Sequence, residues 1–290
     1  VIDSLAREYL QESFWHERNG LRRVDHLELL EDNYRVKRNL DLTYAVRDGI
    51  ISHCGEIDEN ALFPRAELID LSEISEPNQY APATWEGCAV KIADKIAYVG
   101  RDIEDAIKLG FLSDTAKASL ERMAREHDNA INTTVIMHNM IIDICENSSP
   151  EEGIRLSDRY AEQLNEIKNF NYESIYKNKK FKPFMEYAAL IINQLFLTLF
   201  DCYAGEYTLV SLHRREKNYP NLIKAFSGWL SVYCSDKLPE SQNPEPALYE
   251  NDKCYSLLET PELYAQAILD YISGMTDRYA ISMFNELITY

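Results

Sequence analysis

The stretch KIADKIAYVGRDIEDAI, residues 91–107, threads Asp94, Lys95, Tyr98, Arg101, Asp102 and Asp105 through an apolar run. Wound as a helix at about 100° per residue, it gathers Asp94, Tyr98, Arg101, Asp102 and Asp105 within an arc of roughly 100°, with Lys95 at the edge. Ile92, Ile96, Val99, Ile103, Ala106 and Ile107 fall on the other side. Carboxylates, an ammonium and a phenol on one edge can meet either water or a polar ligand. Periodicity alone favours the solvated face of an amphipathic helix.

Other reactive residue types are scattered. No phosphate-binding loop, dinucleotide fingerprint, HExxH or nucleophile elbow is present. His26, His53, His127 and His213 read as surface or packing residues, and His138 in VIMHNMII reads as a core histidine. LHRREK (212–217) and KNKKFK (177–182) are local basic runs in an acidic chain, the first reading as a solvated turn ahead of the alternative of a phosphate contact. Six cysteines, Cys54, Cys88, Cys145, Cys202, Cys234 and Cys254, form no CxxC pair. They read as reduced, cytosolic thiols rather than as a disulfide framework or a zinc site.

Thirty basic against forty-eight acidic residues give a net charge of −18 over 290 residues. A broad surface for nucleic acid or anionic membrane is excluded on that balance, whereas a local basic pocket for a small anion is not. The longest apolar run, YAALIINQLFLTLF, reads as too short and too interrupted by Asn193 and Gln194 to span a bilayer. The first residue is Val1 rather than Met, which suggests a chain that begins inside a longer protein.

Helical spacing dominates. Helices are expected in VIDSLAREYLQE, NGLRRVDHLELLED, LDLTYAVRDGIISH (stopping near Gly55), residues 84–107, SDTAKASLERMA and NAINTTVIMHNMIIDICENSSP. They continue in SDRYAEQLNEIKNFNYESIYKN, KPFMEYAALIINQLFLTLFDCYAG and NYPNLIKAFSGWLSVYCSD. The last pair lies in TPELYAQAILDYISGMTDRYAISMFNELI, with Pro261 in a first turn and a break and N-cap at Gly274–Asp277. Residues 54–83 read as a long connection, and no strand pair, hairpin or repeat is evident. The expected fold is all-α, with a boundary near Pro150–Gly153 dividing residues 1–150 from 151–290.

Five segments in order carry a resemblance. FWHERNGLRRVDHLELLE, LDLTYAVRDGIISHCG, KIADKIAYVGRDIEDAI, MHNMIIDICENS and YISGMTDRYAISMF resemble the HD-domain deoxyguanosine triphosphate triphosphohydrolase family. The resemblance implies a helical HD-type bundle with additional C-terminal helices. It also implies a metal-dependent cleavage of deoxynucleoside triphosphates to deoxynucleoside and tripolyphosphate. It places Asp94 as the last ligand of a divalent metal, Mg²⁺ or Mn²⁺ by its hard carboxylate, with a transition metal admitted by imidazole co-ligands. Lys95 would approach the phosphates, Tyr98 and Asp102 would line the sugar, and His16 would sit near the α-phosphate as a catalytic group. Arg101 and Asp105 take no role, and Arg22 and Arg23 read either as anion-pocket residues or as helix-surface arginines. A symmetric homo-oligomer, cytoplasmic and without a membrane partner, goes with the family.

The chain departs from the pattern at its start. The family's earlier His, its His-Asp pair and a Gly-rich segment ending in Gly-His-x-Gly-Glu do not occur; the one HD dipeptide is His127–Asp128, downstream of Asp94. The expectation is therefore a family member shown without its N-terminal portion and inactive as this piece. Two other readings stay open: a nucleotide-binding regulatory protein that has lost the metal, and an HD-type phosphohydrolase of cyclic nucleotides or nucleoside monophosphates.

Overall fold

A computed structural model describes residues 1–54, 61–127, 133–240 and 248–289. The described residues fold into twelve α-helices and two short antiparallel strand pairs, so the chain is all-α in class. They divide into two compact units. The first comprises Val1–Leu42 and Met185–Tyr290, and the second Thr43–Phe184.

In the first unit, α1 (Ile2–Tyr9) packs against α11 (Pro261–Ser273), while α10 (Pro220–Tyr233) contacts α9 (Thr208–Arg215) and α12 (Asp277–Ile288). Leu195, Phe196, Leu222, Phe226, Leu230, Tyr264 and Ile268 are fully buried in its core. Each buried side chain of that size contributes about 1.5–3 kcal/mol over exposure. Pro261 occupies the first turn of α11 under a Thr260 cap that accepts from the Leu263 amide at 3.2 Å. The break before α12 is capped by Thr276, which accepts from Tyr279, rather than by Asp277.

Three stretches differ from the expectation. NGLRRVDHLELLED is not one helix: α2 (His16–Arg22) ends in a π turn at Arg23–Leu27, and β1 (Leu29–Glu31) then pairs with β2 (Lys37–Asn39). Asp32 makes that hairpin by accepting the amides of Tyr34 and Val36 at 2.8 and 3.0 Å, a local competitor that helix spacing does not reveal. The run LHRREK is not a turn, since α9 holds His213–Arg215 in its last turn, where cations suit the helix dipole. The apolar run from Tyr187 extends back into α8 (Phe181–Phe200), whose 20 residues are long and apolar enough to cross a membrane by length and composition. Ile191, Leu195, Phe196 and Leu199 of α8 are buried in the first unit's core.

The second unit is built on α4 (Trp85–Lys108), which packs against α3 (Tyr44–Ser52), α6 (Thr133–Asn147) and α7 (Asp158–Asn171). Thr84 caps α4 by accepting from the Gly87 amide at 3.0 Å. Its apolar edge is buried as the spacing requires, Ile92 at 9%, Ile96 at 3% and Ile103 at 0% exposure. α5 (Asp114–His127) follows, and Ser113 accepts from the Ala116 amide at its start. The expected stop at Gly55 and the beginning of NAINTT lie outside the described residues. Asp48, fully buried, organises the connection after α3: it accepts from the Arg65 guanidinium and from the Ala83 amide at 2.6 Å. β3 (Ala61–Leu62) pairs with β4 (Ile154–Arg155), a second strand pair missed because two residues carry no alternation.

Candidate functional site

α4 is continuous across the whole 91–107 stretch. Asp94, Lys95, Tyr98 and Asp102 are half-buried, whereas Arg101 and Asp105 are exposed. The polar arc therefore divides. Arg101 pairs with Glu104 at 3.6 Å and Asp105 with Lys108 at 3.7 Å, ordinary surface pairs along one helix.

The inner part of the arc faces two neighbours. At its N-terminal end lies the segment that leaves α3: the Cys54 thiol donates to Asp94 Oδ2 at 3.6 Å. His53 Nδ1 lies 2.7 Å from the Ile50 carbonyl. A carbonyl can only accept, so Nδ1 carries a proton and Nε2 is the ring atom left to ligate a metal when the ring is neutral. His53 and Cys54 bring ligand atoms within 4.8 Å of each other. Cys54 thus stands beside the Asp94 carboxylate on one side and the His53 imidazole on the other. The carboxylate suits a hard cation, while the nitrogen and sulfur donors suit a transition metal, so the residues present fit a divalent ion of the borderline class better than Mg²⁺ alone.

Lys91 fixes that segment against α4. Only 4% exposed, its ammonium donates to the Ser52 and Cys54 carbonyls at 3.0 and 2.8 Å and to Asn78 Oδ1 at 2.8 Å. It lies one turn before Asp94, within the polar arc between Tyr98 and Asp102 at about 100° per residue, yet it is buried, so its place on the wheel does not reveal the role. No spacing rule signals it, because its partners come from α3 and the connection.

At the C-terminal end of the arc, Tyr98 borders a cavity of about 580 Å³ whose other lining residues belong to α7 and the π turn Tyr172–Tyr176. Tyr176 donates its hydroxyl to the Asp102 carboxylate. Asn171, 1% exposed, donates to the Val99 carbonyl at 2.9 Å and so joins the end of α7 to the middle of α4.

His16 belongs to the first unit, as the first residue of α2, with its side chain 71% exposed. The sequence reading passed over its neighbour Glu17, which is 3% exposed. His16 Nδ1 and Glu17 Oε2 are 3.1 Å apart, yet that oxygen accepts no well-aligned hydrogen bond. The signal was available in WHERNG, where the acid follows the histidine directly. A buried carboxylate beside an exposed imidazole can orient the ring.

Arg22 and Arg23 are tied up inside the first unit. Arg22 Nε donates to Asp270 Oδ2 at 2.8 Å, and Arg23 reaches the Asp270 carbonyl at 3.1 Å. Burial alone would lower the Arg22 pKa, but the Asp270 carboxylate more than offsets it, so the guanidinium is held above its usual value. Gly274 makes room for this: a Cβ there would lie 2.5 Å from an Arg23 nitrogen. The α2 helix that carries His16 is thus held by α11.

The same α11 segment matches a known family. Residues 251–286 fit the family model of the phosphohydrolase-associated domain. Along 98% of its length the chain is 27% identical to a deoxyguanosinetriphosphate triphosphohydrolase-like protein of Clostridium tetani, and 24% identical to one of Caldanaerobacter subterraneus. A third, from Desulfatibacillum aliphaticivorans, is 26% identical over the same share. The chain is a relative of the deoxyguanosinetriphosphate triphosphohydrolase-like proteins. It spans 62%, 61% and 64% of the lengths of these three relatives. All five motif segments of the sequence lie within the matched span.

Proposed function

We propose that this chain is the larger part of a metal-dependent deoxynucleoside triphosphate triphosphohydrolase, with α4 as one wall of its active site. What supports this most is the half-buried Asp94–Lys95–Tyr98–Asp102 edge, set in a chain that matches triphosphohydrolase-like relatives along 98% of its length. A divalent metal held by Asp94, with His53 and Cys54 beside it, would acidify a bound water and neutralise phosphate charge. Lys95 supplies a point charge for phosphate oxygens. Asp102, with one carboxylate oxygen engaged by Tyr176, keeps the other as an acceptor for a sugar hydroxyl. The Tyr98 ring closes the space beside that hydroxyl, which is where a ribonucleotide would carry an extra oxygen. His16, with Glu17 beside it, is the catalytic group proposed near the α-phosphate. Water attack there releases deoxynucleoside and tripolyphosphate. The free thiols favour a reducing cytoplasmic setting, and a homo-oligomer is proposed with the family resemblance.

The test is Asp94→Asn in the protein extended upstream of Val1 as its gene encodes it. Loss of the charge should lower tripolyphosphate release by several orders of magnitude, as for a group acting within one catalytic unit. Asp105→Asn, exposed on the same stripe, should stay within a few-fold of wild type. Equal behaviour of the two would make the stripe a solvated face. A regulatory, non-catalytic nucleotide binder is the second reading. Under that reading the extended protein binds deoxynucleotides without releasing tripolyphosphate.

A further inference from the structure

The outward face of α8 carries a pattern that the core does not use. From Tyr187 to Phe200 the helix holds no charged residue, in a chain that is 27% charged. Tyr187, Leu190, Gln194 and Leu197 are exposed, and so is Asp201, whose amide still donates to the Leu197 carbonyl at 2.9 Å. Their spacing alternates three and four residues, and at about 100° per residue they share an arc of roughly 80°. Ile191, Leu195, Phe196 and Leu199, buried in the first unit, lie outside that arc. Alternating spacing of this kind is the seam of a helix pair, whereas a solvated helix face carries charges.

The seam is complementary to itself. Laid antiparallel on a second copy about a two-fold axis at Gln194, Leu190 meets Leu197 of the second copy and Tyr187 meets its Asp201. The two Gln194 carboxamides then face each other. A carboxamide holds both a donor and an acceptor and so pairs with its own copy, and a phenol donates to a carboxylate. A parallel pairing would instead set Asp201 against Asp201. Charge selects the same face: at −18 per copy, two chains repel least where neither carries a charge. A bilayer is a poor occupant, because the other side of α8 is committed to the core. Tyr187, Leu190 and Leu197 are 41%, 49% and 40% exposed, and with Gln194 and Asp201 the stripe offers about 400 Å² per copy. Two copies hide about 800 Å², short of the roughly 1,200 Å² of a stable interface, so the pair is a reversible one.

We propose that this stripe of α8 is the contact face of a reversible antiparallel homodimer, with Gln194 on its two-fold axis. The proposal gives the homo-oligomer a face and a register, and it is independent of how the α4 edge is read.

The experiment is sedimentation velocity of the 290-residue chain over a concentration series, wild type and variants. Wild type should pass from monomer to dimer with a dissociation constant on the order of 10–100 µM. Leu190→Glu sets an unpaired carboxylate against Leu197 of the second copy and should weaken the dimer about tenfold or more. Adding Leu197→Lys to that variant should restore it to within about threefold, because residues 190 and 197 of different copies meet only in the antiparallel register. Both positions are exposed, so the variants should keep the wild-type circular dichroism melt. In a Cys145→Ser background, oxidation should link Gln194→Cys into a dimer and leave Leu190→Cys unlinked. A chain that stays monomeric up to about 500 µM, or a dimer that Leu190→Glu leaves unchanged, overturns the proposal. Linking of Leu190→Cys marks a parallel pair and overturns it too. Flotation of wild type, but not of Leu190→Glu, on phosphatidylcholine–phosphatidylserine vesicles would hand the face to a bilayer. A Gln194→Cys link lost in the protein extended upstream of Val1 would assign the face to upstream residues, and either result refutes the homodimer. None of these outcomes alters the assignment of α4.

Discussion

Asp270→Asn tests whether the phosphohydrolase-associated segment holds the helix that carries His16. Asp270 is 1% exposed and accepts three side-chain donors: Arg22 Nε at 2.8 Å, the Tyr255 hydroxyl at 2.7 Å and Gln266 Nε2 at 2.9 Å. Asparagine preserves the volume and one acceptor. Its new NH₂ faces donors, however, and Arg22 loses its counter-charge. Breaking a fully buried pair costs about 3–5 kcal/mol. The Arg22 side chain is 29% exposed and regains some hydration, and with the amide oxygen in the Oδ2 position two of the three bonds survive without the charge, so about 2–3 kcal/mol is expected. For a unit of this size that corresponds to a melting temperature lower by about 5–10 °C. Scanning calorimetry of wild type, Asp270→Asn, Arg22→Met and the double variant measures it. The double variant should be more stable than the sum of the singles implies by about 1 kcal/mol or more, because Arg22→Met removes the stranded charge. Asp270→Asn melting within about 1 °C of wild type, with additive singles, would refute the view that this pair anchors α2.

The 290-residue chain alone should release no nucleoside or tripolyphosphate from dGTP with Mn²⁺ or Mg²⁺, checked by ion-exchange chromatography; robust turnover by a pure preparation would show that the upstream motif is dispensable. Burial raises the thiols of Cys88, Cys202 and Cys254 to about 11 from an ordinary 9.0. Their neutral forms are therefore favoured in the folded state: that stability is complete below pH 9.0 and is lost as pH rises towards 11. Iodoacetamide at pH 8 should modify exposed Cys145 well before these three, as followed by peptide mass spectrometry. Gly153 has φ +81°, and a Cβ there would lie 2.8 Å from the Leu62 carbonyl oxygen, so Gly153→Ala should cost more than Gly110→Ala, where φ is +68° and nothing lies within 4 Å. Urea melts should separate the two by about 1 kcal/mol or more.

What the sequence disclosed tracks how local each cause is. α4 was readable in full because its cap, its apolar spacing and its length all lie within one stretch. The all-α class followed from the same periodicity repeated along the chain. The hairpin at 29–39 was not readable, since an Asp32 side chain takes over amides that helix spacing assigned to a helix. α9 was hidden by its charges, which mark a turn in isolation but suit a helix C-terminus. Lys91 shows the limit most clearly. Its position on the helix wheel predicts neither burial nor partners, because these are set by two carbonyls at the end of α3 and by Asn78.

The polar stripe itself carries the final step. Asp94, Arg101, Asp102 and Asp105 share one arc, and no property of the isolated helix tells them apart. Their difference arises only when neighbours arrive. The exit from α3 covers the Asp94 end, the π turn after α7 brings Tyr176 to Asp102, and Arg101 and Asp105 are left to pair along the surface with Glu104 and Lys108. Tyr176 lies 74 residues from the aspartate it binds, and Cys54 lies 40 from Asp94. The helix therefore supplies the chemical groups, and the elements packed on either side decide which of them face a ligand. A substitution series along the stripe reads out that packing: effects on nucleotide binding should follow the neighbours, strong at Asp94 and Asp102 and weak at Arg101 and Asp105, rather than the angle on the wheel.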